Sequence, residues 1–119
     1  QRLAKKICKN CKAKDRRFTE KIKHHYGSSS HMNIEESFLG LGCDTCNGTG
    51  IQGRHAIYEV LVVNSEIKET IINDGSKDDI YKVAKNYGFV GIAEEGMGLV
   101  KSGLITIDEY CKVLLLNWI

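Results

Sequence analysis

The stretch that decides the fold is "CDTCNGTGIQGRHAIYEV", residues 43 to 60. Two cysteines open it, three glycines follow, and its end is rich in the β-branched and aromatic residues typical of a strand. Gly48, Gly50 and Gly53 have the G-x-G-x-x-G spacing of dinucleotide-binding loops, but those loops follow a strand and open a helix. Here a cysteine turn comes first and the predicted strand comes after. The pattern therefore favours a metal knuckle, in which glycines let backbone N–H groups point at sulfur.

A second cysteine pair lies near the start of the chain. Cys8 and Cys11 form one C-x-x-C turn, Cys43 and Cys46 form another, and 31 residues separate the two pairs. Each turn brings two sulfurs to one side of a tight loop, and two such turns supply the four thiolates that a tetrahedral Zn²⁺ binds. We predict a structural zinc ion held by these four cysteines.

Two disulfides and a redox-active dithiol are the alternatives to zinc. Disulfides persist in oxidising compartments, and the sequence shows no export signal. A single catalytic dithiol does not call for a second C-x-x-C turn. Four thiolates around zinc carry a net charge of −2, which we expect Lys9 and Lys12 to offset. The fifth cysteine, Cys111, falls on an apolar stripe and is predicted to be a small core residue.

Composition limits the size and class of the protein. The chain has 119 residues, of which 42% are hydrophobic, so it fits one small domain or two subdomains with a modest core. No apolar run reaches the length of a membrane span. Residues 1–25 contain ten Lys or Arg against two Asp or Glu, whereas the remaining residues contain seven against thirteen. The chain starts at Gln1 inside a periodic pattern, so we expect it to be a fragment of a longer protein.

The predicted fold is α+β, mainly helical with a small β element. Leu3 and Ile7 are spaced like one side of a helix, so "QRLAKKI" is predicted to end a helix, and "CKNCKAK" to form a tight turn. Asp15 can cap a second helix over residues 15–26, residues 27–37 form a flexible loop, and "HAIYEVLVV" forms a buried strand. The zinc-binding subdomain is predicted to span residues 1–63.

The second half is predicted to be a cluster of helices, residues 64–119. Asn64 or Ser65 can cap the first of them, and Ser76 with Asp79 has the capping-box pattern for the second. A weaker helix, interrupted by glycine, follows in "GIAEEGMGLVKSG". Thr106 with Glu109 repeats the capping box and opens a last helix with a wide apolar stripe.

Three stretches together resemble the C-terminal region of the secretion ATPases that drive type II secretion and type IV pilus assembly. They are "QRLAKKICKNCK", "GLGCDTCNGTGIQGRHAIYEVLVVNSEIKETI" and "IAEEGMGLVKSGLITIDEY", in that order. In that family a tetracysteine zinc element precedes a G-x-x-G-R-x-x-I-Y-E motif. The positions that match this motif are Gly50, Gly53, Arg54, Ile57, Tyr58 and Glu59. Glu95, Gly96, Gly103, Thr106 and Glu109 match the family's closing segment.

The resemblance implies a module of an ATPase and predicts no catalytic or cofactor-binding residue in this chain. The parent would bind ATP and Mg²⁺ in an upstream core and form a cytoplasmic ring, typically a hexamer. That ring would lie at the inner face of the cell membrane, where it meets the cytoplasmic part of an inner-membrane platform protein. The expected partners are therefore the rest of the ATPase, neighbouring ring subunits and the platform protein.

A nucleic-acid-binding zinc ribbon is the alternative function. The basic first 25 residues could follow a phosphate backbone. Only Phe18 and Tyr26 accompany those charges, whereas single-strand binders use several aromatic residues as stacking platforms. Nucleic acid is therefore not the partner that we expect.

The sequence also makes a prediction about nucleotide chemistry. No glycine in the chain is followed by lysine, so it contains no G-x-x-x-x-G-K-[ST] loop to cradle phosphates. Purified residues 1–119 should neither hydrolyse ATP nor bind it with micromolar affinity, as measured by phosphate release and calorimetry. ATP turnover that persists through repurification would contradict this prediction.

Overall fold

The computed structural model describes residues 1–17, 19–20 and 36–115, and for Leu115 the backbone alone. Within these residues the fold is α+β, with four strands, then four α-helices and a π-helical turn; two further residues, Thr19 and Glu20, are helical and lie between the second and third strands. The strands are β1 (Arg2–Ile7), β2 (Lys12–Lys14), β3 (Phe38–Gly40) and β4 (Ile51–Ile57). The helices are α1 (Ser65–Ile72), α2 (Lys77–Asn86), α3 (Ile92–Lys101) and α4 (Ile107–Tyr110), and the π-helix is Cys111–Leu115. Within these ranges, no helix has both the length and the apolar content needed to span a membrane.

The longer of the two sheets pairs β1 with β4 in antiparallel register, from Arg2 opposite Ile57 to Ile7 opposite Ile51. The register shifts between Lys5 and Ile7, so that Gln52 and Gly53 together face Lys6. This shift is a β-bulge, and Gly53 within it has a φ of 77°, a conformation that glycine adopts without strain. The bulge bends the ladder immediately before the first cysteine turn.

The shorter sheet pairs β2 with β3, with Lys12 opposite Gly40 and Lys14 opposite Phe38. The N–H of Asp15 donates to the carbonyl oxygen of Ser37 at 2.8 Å, which extends the ladder by one bond. This short ladder, which we call the neck, pairs the segment that ends at Asp15 with the segment that begins at Ser37.

The two sheets approach each other closely at a pair of glycines. A Cβ on Gly40 would lie 2.0 Å from the carbonyl oxygen of Gly50, and a Cβ on Gly50 would lie 2.3 Å from the carbonyl oxygen of Gly40. Both distances are far below van der Waals contact, so neither position accepts a side chain unless the backbone moves. This contact brings together the two ends of the segment that carries Cys43 and Cys46.

The helix starts follow the caps that the sequence predicts. Asn64 accepts the N–H of Ile67 at the start of α1, and Ser76 with Asp79 forms a complete capping box at α2. Thr106 accepts the N–H of Glu109 at α4. The carboxylate of Glu109 does not complete a box there but accepts the backbone N–H of Lys5 at 3.0 Å, which attaches α4 to the bulged ladder.

Helix α3 begins with a cap from outside its own sequence. Its N-cap residue is Gly91, which has no side chain to accept a hydrogen bond. The carboxylate of Glu59, just after β4, accepts the N–H of Ile92 at 2.9 Å instead. A carboxylate at a helix N-terminus satisfies a free donor and interacts favourably with the helix dipole, so Glu59 attaches α3 to the end of β4.

One core joins the β1–β4 sheet to the C-terminal helices. Ala4 from β1 and Ile57 from β4 are fully buried, and they lie in one cluster with residues of α3, α4 and the segments between and after these helices. The remaining members are Val100, Ile105, Ile107, Tyr110, Cys111 and Leu114. The sheet and these helices therefore fold around shared apolar contacts on both sides of residue 63.

Two sequence predictions about local structure are wrong. Residues 2–7 are a strand and not the end of a helix, because pairing with β4 overrides the helical spacing of Leu3 and Ile7; Leu3 is 54% exposed. The predicted buried strand "HAIYEVLVV" ends at Ile57, and Val60 and Val62 beyond it are 69% and 75% exposed.

Other predictions are only partly tested by the described residues. Of the predicted turn "CKNCKAK", only residues 9–11 form a turn, since Lys12–Lys14 form β2. Most of the helix over 15–26 and of the loop over 27–37 lies outside the described residues, as does the end of the last helix.

The paired glycines lead to a stability test. Gly40→Ala should destabilise the protein by about 1–3 kcal/mol, because its Cβ would overlap the backbone of Gly50. The matched control is Gly98→Ala in α3, where a Cβ would meet no atom within 4 Å. This control should stabilise the protein by about 0.5–1 kcal/mol, since alanine favours a helix interior. Urea denaturation of both variants measures the two effects, and a loss for Gly98→Ala alone would contradict the packing argument.

Candidate metal centre

The four predicted cysteine ligands meet where the two sheets end. Cys8 follows β1 directly, Cys11 directly precedes β2, and Cys43 and Cys46 lie in the turn between β3 and β4. The N–H of Cys8 donates to the carbonyl oxygen of Gly50 at 2.9 Å, and the N–H of Leu41 donates to that of Cys11 at 3.1 Å. The backbone therefore holds the two turns against each other independently of the sulfurs.

The sulfur positions suit a tetrahedral metal ion. All four Sγ atoms lie within 4.8 Å of one another. The Cys8–Cys43 and Cys11–Cys46 Sγ distances are both 3.8 Å, and the Cys43–Cys46 distance is 3.7 Å. Tetrahedral zinc with Zn–S bonds of about 2.3 Å separates its sulfurs by about 3.8 Å. The four cysteines could therefore hold one metal ion together, and all of them are free thiols rather than disulfides.

Hydrogen-bond donors surround the sulfurs. The N–H of Gly42 points at Cys11 Sγ at 3.2 Å, and the N–H of Gly50 points at Cys46 Sγ at 3.1 Å. The N–H of Cys43 also donates to Cys46 Sγ, at 3.3 Å. These bonds stabilise negative charge on sulfur, as expected for thiolate ligands. The predicted role of the glycines, to let backbone N–H groups point at sulfur, is confirmed for Gly50. The N–H of Gly48 donates to the carbonyl oxygen of Cys43 instead, and Gly53 lies in the β-bulge.

These surroundings shift the thiol pKa values in different directions. Burial raises the pKa of Cys11 to about 11, although the N–H of Gly42 opposes the shift. The side-chain amide of Asn10, with the backbone N–H of Cys46, lowers the pKa of Cys43 to about 6. Burial would raise the pKa of Cys46, but N–H groups of Cys43 and Gly50 outweigh it and lower that pKa. Because metal ions bind thiolates, the lowered pKa values of Cys43 and Cys46 favour metal binding.

The other residues singled out in the sequence lie away from the sulfurs or serve the fold. Cys111 is 3% exposed in the core, as predicted, and His55 lies on β4. Lys12 places its Nζ 4.8 Å from the centre of the Phe38 ring. His24, His25 and His31 are outside the described residues. The sequence analysis missed Asn10, which lies between two predicted ligands and donates to Cys43 Sγ at 3.2 Å.

Comparison with known proteins identifies the family. The family model for type II/IV secretion system proteins matches residues 1–112 of the chain. The chain therefore belongs to the type II/IV secretion system protein family, as its sequence motifs indicate. The fold and the sulfur cluster described above are those of a segment within that family.

Individual relatives come from both branches of the family. The chain is 32% identical over 109 residues to the type IV pilus assembly ATPase PilB of Thermus thermophilus, covering 92% of this chain and 12% of that protein. It is 30% identical over 86 residues to the type II secretion system protein HxcR of Pseudomonas aeruginosa, covering 71% and 18%. The type II secretion system protein E of Aeromonas hydrophila is 26% identical over 113 residues, covering 95% and 22%. The chain thus spans between an eighth and a quarter of the length of these relatives.

The geometry leads to a test of metal content. Native mass spectrometry of the purified chain should find one zinc ion per molecule. Since binding of a structural zinc contributes about 10–16 kcal/mol in small zinc peptides, chelation should increase hydrogen exchange most in the strands around the sulfurs. Cys111→Ala should leave the zinc content unchanged because Cys111 is a core residue. Two disulfides and no metal in the native protein would contradict the prediction.

Proposed function

We propose that the chain is the C-terminal zinc-binding module of a secretion or pilus-assembly ATPase. In this proposal the parent protein hydrolyses ATP with Mg²⁺ in a core upstream of Gln1, and the module helps the ring to assemble and couples hydrolysis to fibre assembly or protein export. Membership of the family supports this assignment. So does the similarity to PilB, a pilus assembly ATPase, and to protein E of a type II secretion system. The observation that carries the coupling role is that the sheet bearing the sulfur cluster shares one core with the C-terminal helices.

Several polar contacts support a rigid link between the cluster and these helices. The N–H of Ile7, next to the first ligand, donates to the carbonyl oxygen of Leu104 at 2.9 Å. Glu109 holds the N–H of Lys5, and Glu59 holds the N–H of Ile92. Each bond joins the β1–β4 sheet to a different part of the helical region. A metal ion that fixes the end of the sheet would therefore also fix the orientation of α3 and α4.

The zinc ion in this proposal is structural. It would supply a tetrahedral cross-link among four thiolates and no open coordination position for a substrate. The backbone N–H groups of Gly42, Cys43 and Gly50 would stabilise the negative charge on the sulfurs. With the sulfurs cross-linked, movement of β1 is transmitted to the helices rather than absorbed in the cysteine turns.

The proposed partners and location follow from the parent's assignment. The module would contact the rest of the ATPase and neighbouring subunits of a cytoplasmic ring, typically a hexamer. That ring would work at the inner face of the cell membrane, against the cytoplasmic part of a platform protein. The names of the relatives, which include both pilus assembly and type II secretion proteins, support a role in one of these two machines.

A double substitution in the full-length parent tests the coupling role. Cys43→Ser with Cys46→Ser should abolish metal binding and impair fibre assembly or secretion in cells. Basal nucleotide affinity should stay within about twofold of the wild type, because the sulfur cluster lies outside any phosphate-binding loop. Nucleotide affinity, ring size in solution and fibre assembly are measured side by side. The matched control is Cys111→Ser, which removes a thiol that is not part of the cluster.

Two outcomes would overturn the proposal. Normal fibre assembly by a demonstrably metal-free double variant would exclude a coupling role for the metal. Loss of nucleotide affinity in the same variant would place the module at the nucleotide site instead of outside it.

A further inference from the structure

The two cysteine turns are joined by one side chain. Asn10 lies between Cys8 and Cys11 in the first turn, and its Nδ2 donates to the Sγ of Cys43 in the second turn at 3.2 Å. The other N–H donors to sulfur, from Gly42, Cys43 and Gly50, belong to the backbone. Among the side-chain amides of the described residues, that of Asn10 donates to Cys43 Sγ, and that of Gln52 lies 3.8 Å from Cys8 Sγ in the other part of the cluster.

The position of Asn10 has no simpler structural explanation. Asparagine often occupies left-handed turn positions, but the non-glycine residues with positive φ in the described chain are Asn47 and Asp74. Asn10 is exposed, so its side chain does not fill the core. Its amide must turn the NH₂ group toward the sulfur, because the amide oxygen and a thiolate would repel each other. The side chain is therefore positioned to donate a hydrogen bond to the sulfur of Cys43.

Cys43 is one of the ligands that solvent can reach. Cys8 and Cys46 are buried, whereas Cys11 and Cys43 are half-buried. Cys11 is covered by a backbone N–H donor from Gly42, which lies beside the second turn. At Cys43 the Asn10 amide takes this place, next to the backbone N–H of Cys46. A hydrogen bond to a thiolate withdraws charge from sulfur and makes it a weaker nucleophile.

We propose that Asn10 is a positioning residue of the metal centre, whose side-chain amide holds the Cys43 thiolate between the two turns and protects it from electrophiles. This inference rests on the proposed zinc site. Without the amide, we expect Cys43 to be the first of the four ligands to react and to lose its bond to zinc. With iodoacetamide, the Cys43 thiolate attacks the methylene carbon, the C–S bond forms, the C–I bond breaks and iodide leaves with the bonding pair. The thioether that results is a neutral, weak ligand, so zinc is released.

The test compares the two C-x-x-C turns at equivalent positions. The variants are Asn10→Ala, Asn10→Asp, which keeps the shape but loses the donor, and the control Thr45→Ala. Thr45 has the same place in the second turn as Asn10 in the first, and it is exposed. Each zinc-loaded chain is treated with iodoacetamide while a chromogenic chelator reports released zinc. Peptide mapping by mass spectrometry identifies the cysteine that reacts first.

Both Asn10 variants should release zinc about 10-fold faster than the wild type, since removal of an outer hydrogen bond costs a metal site about that factor. Cys43 should be alkylated first in both, and Thr45→Ala should behave like the wild type. Equal release rates in all four proteins, or first alkylation at Cys11, would overturn the role of Asn10. A wild-type chain without zinc would instead reject the proposed function, so the two failures are distinguishable.

A measurement on the unaltered chain does not depend on variant folding. In protein loaded with ¹¹³Cd in place of zinc, the Asn10 amide protons should show scalar coupling to the metal across the N–H···S bond. No such coupling in a fully loaded sample, with the backbone coupling of Gly50 visible, would overturn the inference.

Discussion

The antiparallel ladder between β1 and β4 is the constraint on which the described structure depends. At one end it brings Cys8 beside Gly50, and at the other it turns Ala4 and Ile57 into the helical core. A two-stranded sheet is marginally stable by itself in water. It therefore needs support at both ends, from the cysteine turns at one and from the apolar contacts at the other. If either end loses its contacts, the whole ladder becomes less stable, and the residues at the other end are held less firmly.

Two carboxylates connect the sheet to the helices by accepting backbone N–H groups of elements other than their own. Glu59 caps α3, and Glu109 holds the bulged part of β1. Both satisfy backbone N–H groups that their own element leaves without a partner, the first at a helix start and the second at a β-bulge. Two residues that match the secretion ATPase pattern thus have a structural explanation in this chain. They join the sheet to the helices.

Sequence reasoning succeeded where the deciding interactions are local. The caps of α1 and α2 lie within three residues of the N–H groups that they satisfy, and the C-x-x-C spacing places two sulfurs in each turn. Sequence reasoning failed where the local structure depends on residues that are far away in the sequence. Residues 2–7 become a strand only because β4 lies beside them, and the backbone contact of Gly40 with Gly50 joins two separate sheets. Asn10 was missed for the same reason, since its partner lies 33 positions away.

The short neck between β2 and β3 has a consequence for how the chain can vary. The bond from Asp15 to Ser37 and the 3.2 Å ion pair of Lys14 with Glu36 hold the two strands of the neck together at one end. The entropy cost of a closed loop grows slowly, by about 0.6 kcal/mol for each doubling of its length. Because this cost depends only weakly on length, a change in the number of residues between Asp15 and Ser37 should alter the stability of the β2–β3 ladder little. The sulfur positions next to that ladder should then stay the same.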